Sequence, residues 1–478
     1  MCHVITLPTL RASPQAWALA ALIDAARLVP SMDSAGVTID VADRSLFNPG
    51  DLPTLRAHEW GITVGDGTVV IDPALFGLLV SVVGAGTEQR SSEQDRHGRV
   101  PSSAHPLVRW GAERDPLLND AATVFRTAVE RAAGRKLVVL AAPWPEGHRW
   151  AAALTHDLDV VDWWPAFTAL RLRELFQRGE LGLAARVLAA AAGAVGKDPV
   201  SRAVEALLTV EAAHNIRSTW FILSGTPTLA TMRVGDLTYK PEGSRARGLL
   251  AAVGAGGHEL ELHGSFSTWL DVDRFRAERG RLAGLVGAPP RGVRQHYLRM
   301  RPGRTQRLMC QAGFEWDASY GFADRNGFRL GAADVVAGWD AAASGPSGLD
   351  EVPFMWMDRA LSKYRKEERP AVWTEDALEL AGRCRKVEGL WVGVWHPNLS
   401  PALGFPGAPE AFQDLVSGLC QTRPWLARLD EVVMWRRRRR ELRVERILPD
   451  GRPVLSVPTI PIEAVDGRPL RSATPDAD

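Results

Sequence analysis

The sequence predicts an α/β protein whose largest part is a mostly parallel sheet or barrel. From Trp150 to Trp435, short apolar runs alternate with stretches of helical periodicity, such as Val200–His214 and Arg274–Val286. Several of these apolar runs end in a carboxylate or a histidine. Because the chemistry of such barrels gathers on the loops that follow the strands, these ends are the first candidates for a functional site.

Length and composition set the bounds of this interpretation. The 478 residues leave room for two or three domains of about 150 residues each. Hydrophobic residues make up 46% and charged residues 24%, as in ordinary globular proteins. A net charge of only +1 argues against a nucleic-acid partner, because phosphate binding needs a basic surplus.

Membrane and export signals are also missing from the sequence pattern. The longest apolar run, Val187–Gly196, is far shorter than the roughly 18 residues that a membrane span requires. The start of the chain has no signal-peptide pattern, and the cysteines are too scattered for a disulfide framework or a zinc knuckle. These four residues are Cys2, Cys310, Cys384 and Cys420. We therefore expect reduced thiols and a cytoplasmic location.

Residues 1–145 are predicted to form a small α/β unit. Apolar residues recur at helical spacing over Ala16–Leu28, and strand-like runs follow at Val37–Val41, Gly61–Val64 and Thr68–Ile71. The region carries no chemical motif, so its role stays open.

Residues 146–435 are predicted to form the barrel-like domain. Its strands are expected at Ala151–Thr155, Ser218–Leu223, Glu259–His263, Gly292–Gln295, Val352–Met355 and Gly389–Trp395. Residues 436–478 are predicted to be a β tail. Arg436–Arg440 favours a solvated helix end, and Pro449-Asp450-Gly451 predicts the turn of a β-hairpin.

The first candidate site follows the strand at Ala151–Thr155. Asp157 and Asp159 are two residues apart, which places both carboxylates on the same side of an extended chain. Two such charges call for a cation between them or a raised pKa on one of them. A metal ligand beside a general base is the functional interpretation, and an Asp-rich turn that caps a helix is the alternative.

Three further strand ends carry groups of the same kind. His263 ends one strand, the next carries Arg294-Gln295-His296-Tyr297, and the apolar run Gly389–Trp395 leads to His396. A neutral imidazole is a good zinc ligand, although a lone histidine more often packs in a core. Carboxylates, histidines and an arginine at successive strand ends are hard to explain by packing alone.

The order of these motifs resembles the polysaccharide deacetylase superfamily, the metal-dependent carbohydrate N-deacetylases of the carbohydrate esterase family 4 type. The resemblance covers Ala151–Glu431 and lies in Thr155–Asp159, Gly257–Ser267, Arg294–Tyr297 and Trp391–His396. It implies that the barrel is an incomplete or distorted (β/α)7 barrel, preceded by the small α/β domain and followed by the hairpin tail.

The resemblance implies a catalytic role for four residues. Asp157 would be the general base and Arg294 would orient it through a charge-assisted hydrogen bond. The backbone N–H of Tyr297 would stabilise the oxyanion, and His396 would be the general acid. The acidic partner of His396 is left open among Asp317, Asp324 and Asp358.

The resemblance also implies a divalent metal, Zn²⁺ or else Co²⁺, Ni²⁺ or Mn²⁺, held by Asp159 and His263. The second metal histidine of the family would fall at position 267, which is Ser267 here. Three alternatives follow: His156 or His258 substitutes, the metal binds weakly with extra waters, or the chain works without metal.

The expected function is therefore a hydrolase that removes an acetyl group from an N-acetylated sugar or a related amide. The alternatives are a catalytically degenerate carbohydrate-binding or interaction module and a metal-independent amidohydrolase of the same superfamily. The expected partner is an N-acetylated carbohydrate or sugar precursor, and the sequence does not indicate an oligomeric state.

Overall fold

The computed structural model describes residues 13–31, 36–48, 50–134, 137–162, 164–196, 198–229, 231, 236 and 239–473. Cys2 lies outside the described residues, and Cys310, Cys384 and Cys420 are free thiols. Within the described part of the chain, no helix combines the length and the apolar character needed to cross a membrane.

The N-terminal residues form an α/β unit around a three-stranded sheet. Its strands are β1 (Thr38–Val41), β2 (Ile62–Val64) and β3 (Thr68–Ile71), with β3 in the centre, parallel to β1 and antiparallel to β2. Its helices are α1 (Pro14–Ala25), α2 (Leu52–Ala57), α3 (Pro73–Val82), α4 (Gly86–Arg90), α5 (Pro106–Arg109) and α6 (Leu117–Ala133). The side chains of Ser13 and Asp72 accept backbone N–H groups at the starts of α1 and α3, which fixes where these helices begin.

A large, mostly parallel sheet follows and forms an incomplete barrel. Its strands are β5 (Ala151–Leu158), β6 (Thr219–Leu223), β7 (Glu259–Gly264), β8 (Gly292–Gln295), β9 (Trp316–Asp317), β10 (Val336–Asp340), β11 (Gly345–Glu351), β12 (Trp356–Met357), β13 (Leu390–Val394) and β14 (Trp425–Leu426). The order is β10-β11-β9-β8-β7-β6-β5-β13-β12, with β14 also paired to β5. Among the described strand pairs of this sheet, only β10–β11 is antiparallel. In the described residues the end strands β10 and β12 do not pair, so the barrel stays open.

Helices cover the outside of this sheet and connect its strands. They are α7 (Trp164–Gln177), α8 (Leu181–Gly193), α9 (Pro199–Ala213), α10 (Ser244–Ala255), α11 (Val272–Val286), α12 (Arg304–Gln311), α13 (Pro370–Lys386), α14 (Ala408–Gln421) and α15 (Leu429–Glu441). Since α10, α11 and α12 each join neighbouring parallel strands, the carboxyl ends of β6 to β9 meet at one edge.

The core explains much of the tryptophan content. The rings of Trp220, Trp316, Trp356 and Trp391 are fully buried. A Cβ atom at Gly292 would lie 2.1 Å from the ring of Trp316, so only glycine fits beside this ring in β8.

The C-terminal tail is tied to the rest of the molecule. Strands β15 (Val444–Ile447) and β16 (Pro453–Leu455) form an antiparallel hairpin. Strand β17 (Ile462–Ala464) pairs with β18 (Pro469–Leu470) and with β4 (Val139–Ala141), which precedes the barrel.

The predicted solvated end at Arg436–Arg440 is wrong. These residues do lie in a helix, α15, but the side chains of Arg436 and Arg439 are only 1% and 3% exposed. They pair with Asp24 of α1 and with Asp334, because buried guanidinium groups need carboxylates. The domain boundary predicted at 435 therefore falls inside α15.

Candidate active site

The candidate site lies at the carboxyl edge of the central strands. Asp157 is near the end of β5 and Asp159 follows it, while His263 of β7 and Arg294 of β8 are direct partners in the ladder. His396 follows β13, which pairs with β5 on its other side. Because these strands run parallel, Asp157, Asp159, His263 and His396 line one cavity.

Asp157 is paired with the buried guanidinium of Arg294. Arg294 Nη1 donates to Asp157 Oδ1 at 2.7 Å and to Thr155 Oγ1 at 2.9 Å, and its Nε donates to the Ala318 carbonyl at 3.0 Å. Burial alone would raise the pKa of Asp157, but Arg294, His263 and His396 outweigh it and hold that pKa below its ordinary value. Asp157 is thus an ionised carboxylate that can accept a proton.

Three donor groups converge beside this pair. Asp159 Oδ1 lies 3.3 Å from His263 Nε2 and 3.6 Å from His296 Nε2, and the three donor atoms lie within 4.8 Å of one another. Asp159 Oδ1 is buried and has no hydrogen-bond partner among the described residues. A buried carboxylate oxygen that faces two imidazole nitrogens in this way is typical of a metal ligand.

The other ring nitrogens determine which atoms are available to a metal. His263 Nδ1 lies 2.9 Å from the Arg294 carbonyl, so it must donate there. His296 Nδ1 is hydrogen-bonded to the carboxylate of Asp236. Both contacts place the proton of the neutral ring on Nδ1 and leave the lone pair of Nε2 directed at the site, the usual arrangement of metal-ligating histidines.

His296 is the donor that the sequence analysis missed. Within Arg294-Gln295-His296-Tyr297 the resemblance implies roles only for Arg294 and Tyr297, although His296 is a third imidazole at the same edge. After β8 the chain makes a tight turn with Tyr297 at φ 59°, and this turn carries the His296 ring into the cavity. A histidine two residues after the strand arginine was the available signal.

The residues considered as replacements lie elsewhere. His156 contacts Glu211 at 3.0 Å and the Trp395 carbonyl at 2.8 Å, on the opposite side of β5 from Asp157. His258 contacts the backbone and hydroxyl of Ser218. Ser267 is in the turn after β7 and does not line the cavity. His156 and His258 therefore lie away from Asp159 and His263, whereas His296 lies beside them.

His396 completes the site, and Asp358 is its acidic partner. His396 Nδ1 and backbone N–H both contact the Asp358 carboxylate, at 2.7 and 2.6 Å. Its Nε2 lies 3.6 Å from Asp159 Oδ2 and 3.9 Å from Asp157 Oδ2. Burial would lower the pKa of His396, but Asp358, Asp159 and Asp157 outweigh it and raise that pKa, so the ring can serve as a proton donor.

The two other candidates for this partner have different roles. Asp317 accepts hydrogen bonds from Ser319 and Gln306, and Asp324 accepts one from Ser102. Neither contacts His396.

Comparisons with known proteins find distant structural matches. No family model matches the chain, and no curated protein matches it. A structure described as a polysaccharide deacetylase from Mycobacterium smegmatis is 22% identical, covers 64% of this chain and 95% of its own, and has a TM-score of 0.41. A second structure described as a polysaccharide deacetylase, from Pseudomonas aeruginosa PAO1, is 16% identical, covers 64% of this chain and 96% of its own, and has a TM-score of 0.39. The chitin deacetylase of Colletotrichum lindemuthianum is 12% identical, covers 59% of this chain and 86% of its own, and has a TM-score of 0.34. At these values the matches assign no activity to this chain.

The N-terminal unit also reaches the cavity. Arg99 Nη1 donates to the Tyr297 carbonyl at 2.8 Å, and the His97 ring stacks on the Tyr297 ring with 5.2 Å between centroids. The remaining walls include Phe167, Arg359, Lys363, Tyr364 and Asn398. The cavity thus combines carboxylate and imidazole groups with cationic and aromatic side chains.

Proposed function

We propose that this chain is a metal-dependent hydrolase that removes an acetyl group from an N-acetylated sugar or a related amide. The observation that carries the proposal is the convergence of three metal donors with an Asp157–Arg294 pair and a His396–Asp358 pair. Amide hydrolysis needs an activated nucleophile, charge stabilisation and a proton for the leaving nitrogen, and this set of groups can supply all three.

A divalent metal held by Asp159, His263 and His296 would acidify water and polarise the amide carbonyl. Two imidazoles and one carboxylate suit Zn²⁺, with Co²⁺, Ni²⁺ and Mn²⁺ as alternatives.

The remaining steps belong to side chains and backbone of this chain. Asp157 accepts the proton of the attacking water, and Arg294 keeps Asp157 ionised and fixes its orientation. The backbone N–H of Tyr297 is assigned to the oxyanion. His396 then donates a proton from Nε2 to the departing amine nitrogen, while Asp358 holds its ring.

The site favours an enzyme over the two alternatives. A degenerate binding module and a metal-independent amidohydrolase were both suggested by the serine at position 267. His296 supplies a third metal donor, so a histidine at position 267 is not needed. A binding module would also need neither a general base paired with an arginine nor a general acid paired with an aspartate.

The test separates metal binding from turnover. His296→Ala should weaken Zn²⁺ binding at least tenfold, or about 1.4 kcal/mol, in competition with a chromophoric chelator. Asp157→Asn should keep its Zn²⁺ affinity but lose acetate release from N-acetylglucosamine oligomers. Ser267→Ala is the matched control and should keep both properties. Unchanged Zn²⁺ affinity in His296→Ala, or undiminished acetate release in Asp157→Asn, would refute the assignment.

A further inference from the structure

Two cations of the cavity form no ion pair with any carboxylate of the described residues. Arg359 directly follows Asp358, and Lys363 lies one turn later in a π-helical turn, Ala360–Arg365. Among the described residues, neither side chain forms an ion pair or a hydrogen bond. Both cations lie near aromatic rings: the Arg359 guanidinium is 5.6 Å from the centroid of Phe405, and Lys363 Nζ is 5.3 Å from that of Tyr297.

The other charges of the cavity are already matched. Arg294 pairs with Asp157, and Arg99 pairs with Asp95 at 2.6 Å. The close contacts of Asp159 Oδ1 are with the imidazoles of His263 and His296. Asp159 attracts Arg359 and Lys363 across the cavity, but it forms no ion pair with either of them. Both cations therefore add positive charge to a site that is proposed to hold a divalent metal.

The surroundings of Lys363 make this charge costly. Burial, together with Arg359 and Arg99, lowers the pKa of Lys363 to about 8 from an ordinary 10.5. Partly buried cations are normally paired, because desolvation without a partner is unfavourable. Single π-helical turns are rare and are often found at functional sites, and here such a turn carries Lys363 to the cavity.

A third polar group in the same cavity also lacks a partner. The side-chain oxygen of Asn398 is buried and accepts no hydrogen bond in the described part of the chain, and the residue is only 5% exposed. A buried amide without a partner is costly unless a ligand satisfies it. A sugar hydroxyl is a suitable donor to it.

We propose that Arg359 and Lys363 bind an anionic group of the substrate, a carboxylate or a phosphate, and that Asn398 binds one of its hydroxyls. The substrate class is then an acidic N-acetylated sugar, such as a uronic acid or a sugar phosphate. That the substrate carries an N-acetyl group rests on the proposed function, whereas the anion site does not. Arg359 and Lys363 determine specificity, and the pairs around Asp157 and His396 perform the reaction.

The experiment measures binding of four related sugars to the Zn²⁺-loaded protein by titration calorimetry. The sugars are N-acetylglucosamine, its 1-phosphate, its 6-phosphate and its 6-carboxylate. At least one anionic sugar should bind tenfold or more tightly than the neutral one. The sugar that does so distinguishes a phosphate from a carboxylate.

Variants show which groups cause the preference. Lys363→Met and Arg359→Gln should each reduce it at least fivefold, whereas Lys386→Met, an exposed lysine of α13, should leave it unchanged. Because the metal is present in every protein, its own attraction for an anion cancels in these comparisons. No preference in the wild type, or a preference that survives in both cavity variants, would overturn the proposal.

Acetate release from the same four sugars keeps the two proposals apart. Release from the neutral and anionic sugars alike, with equal affinities, would refute the anion site and leave the hydrolase standing. A clear anion preference without acetate release from any of them would refute the hydrolase and leave the anion site standing.

Discussion

The three imidazoles of the site are oriented in the same way. His263, His296 and His396 each use Nδ1 for a hydrogen bond to the protein and present Nε2 to the centre. Two of the partners, Asp236 and Asp358, are 60 and 38 residues away in the sequence. Motif spacing could therefore indicate the histidines at positions 263 and 396, but it could not choose the carboxylate that holds each ring.

Asp358 should matter most when the leaving group is poor. Asp358→Asn removes the carboxylate that raises the pKa of His396 and fixes its ring, so protonation of the leaving amine becomes less efficient. We expect turnover of N-acetylated sugars to fall by about 10²-fold or more, with a much smaller loss for anilides whose amines leave easily. Steady-state kinetics on both substrate types measure the difference.

A matched variant tests whether this effect is specific. Asp324→Asn changes a carboxylate that contacts Ser102 rather than His396, and it should lose little activity on either substrate. An equal loss on sugars and activated anilides in Asp358→Asn would count against the proton-donor role of His396.

At the scale of elements, the sequence predicted strands well where the chain is buried and regular. Gly292–Gln295 has the predicted bounds, and β5 extends three residues beyond the predicted Ala151–Thr155, so that Asp157 lies within the strand. The predicted strand Val352–Met355 is wrong. These apolar residues lie between β11 and β12, with Val352 N–H donating to the Asp317 carbonyl and Phe354 N–H to that of Tyr320. These residues are apolar because they lie in the core, and local periodicity cannot distinguish a buried loop from a strand.

A buried carboxyl group holds the turn after β7 in place. Glu278 of α11 accepts the backbone N–H of Ser265 at 3.0 Å and its hydroxyl at 2.5 Å, just beyond His263. Burial raises the pKa of Glu278 to about 7 from an ordinary 4.5, although the hydrogen bonds from Ser265 oppose this shift. The folded protein therefore retains a proton that the unfolded chain releases, and stability falls as the pH rises through this window.

Glu278→Gln should remove this part of the pH dependence. Glutamine stays neutral, so the variant should gain stability relative to the wild type between about pH 5 and pH 8, by up to about 3 kcal/mol. Thermal unfolding midpoints at both pH values measure the gain. Glu93→Gln, at a side chain that is 57% exposed, should show no such trend. If the unfolding midpoints of wild type and Glu278→Gln change equally between the two pH values, Glu278 is ionised in the folded protein and the prediction is wrong.

At the scale of the whole molecule, the N-terminal unit and the barrel share one packed interface. The core of the N-terminal unit includes Ala332, Val336 and Trp339 from the barrel region, and Trp17 Nε1 donates to the Ala337 carbonyl at 3.0 Å. The sequence predicts a boundary near residue 145, but it could not show that Arg99 of the N-terminal unit lines the cavity of the candidate site. The hydrogen bond between Trp17 and Ala337 joins residues 320 positions apart, and no local sequence pattern indicates it.

The ion pairs between α1 and α15 should be essential to this interface. Asp24 accepts a hydrogen bond from Arg436 Nη2 at 2.9 Å, and Arg436 is almost fully buried. Asp24→Ala leaves that guanidinium without one of its two carboxylates, so we expect the free energy of unfolding to fall by about 3–5 kcal/mol in urea titrations. Asp450→Ala removes the partner of Arg452 in a half-exposed surface pair and should have no measurable effect. If both variants unfold at the wild-type midpoint, apolar packing alone joins the two parts of the molecule, and the buried arginines of α15 are dispensable for it.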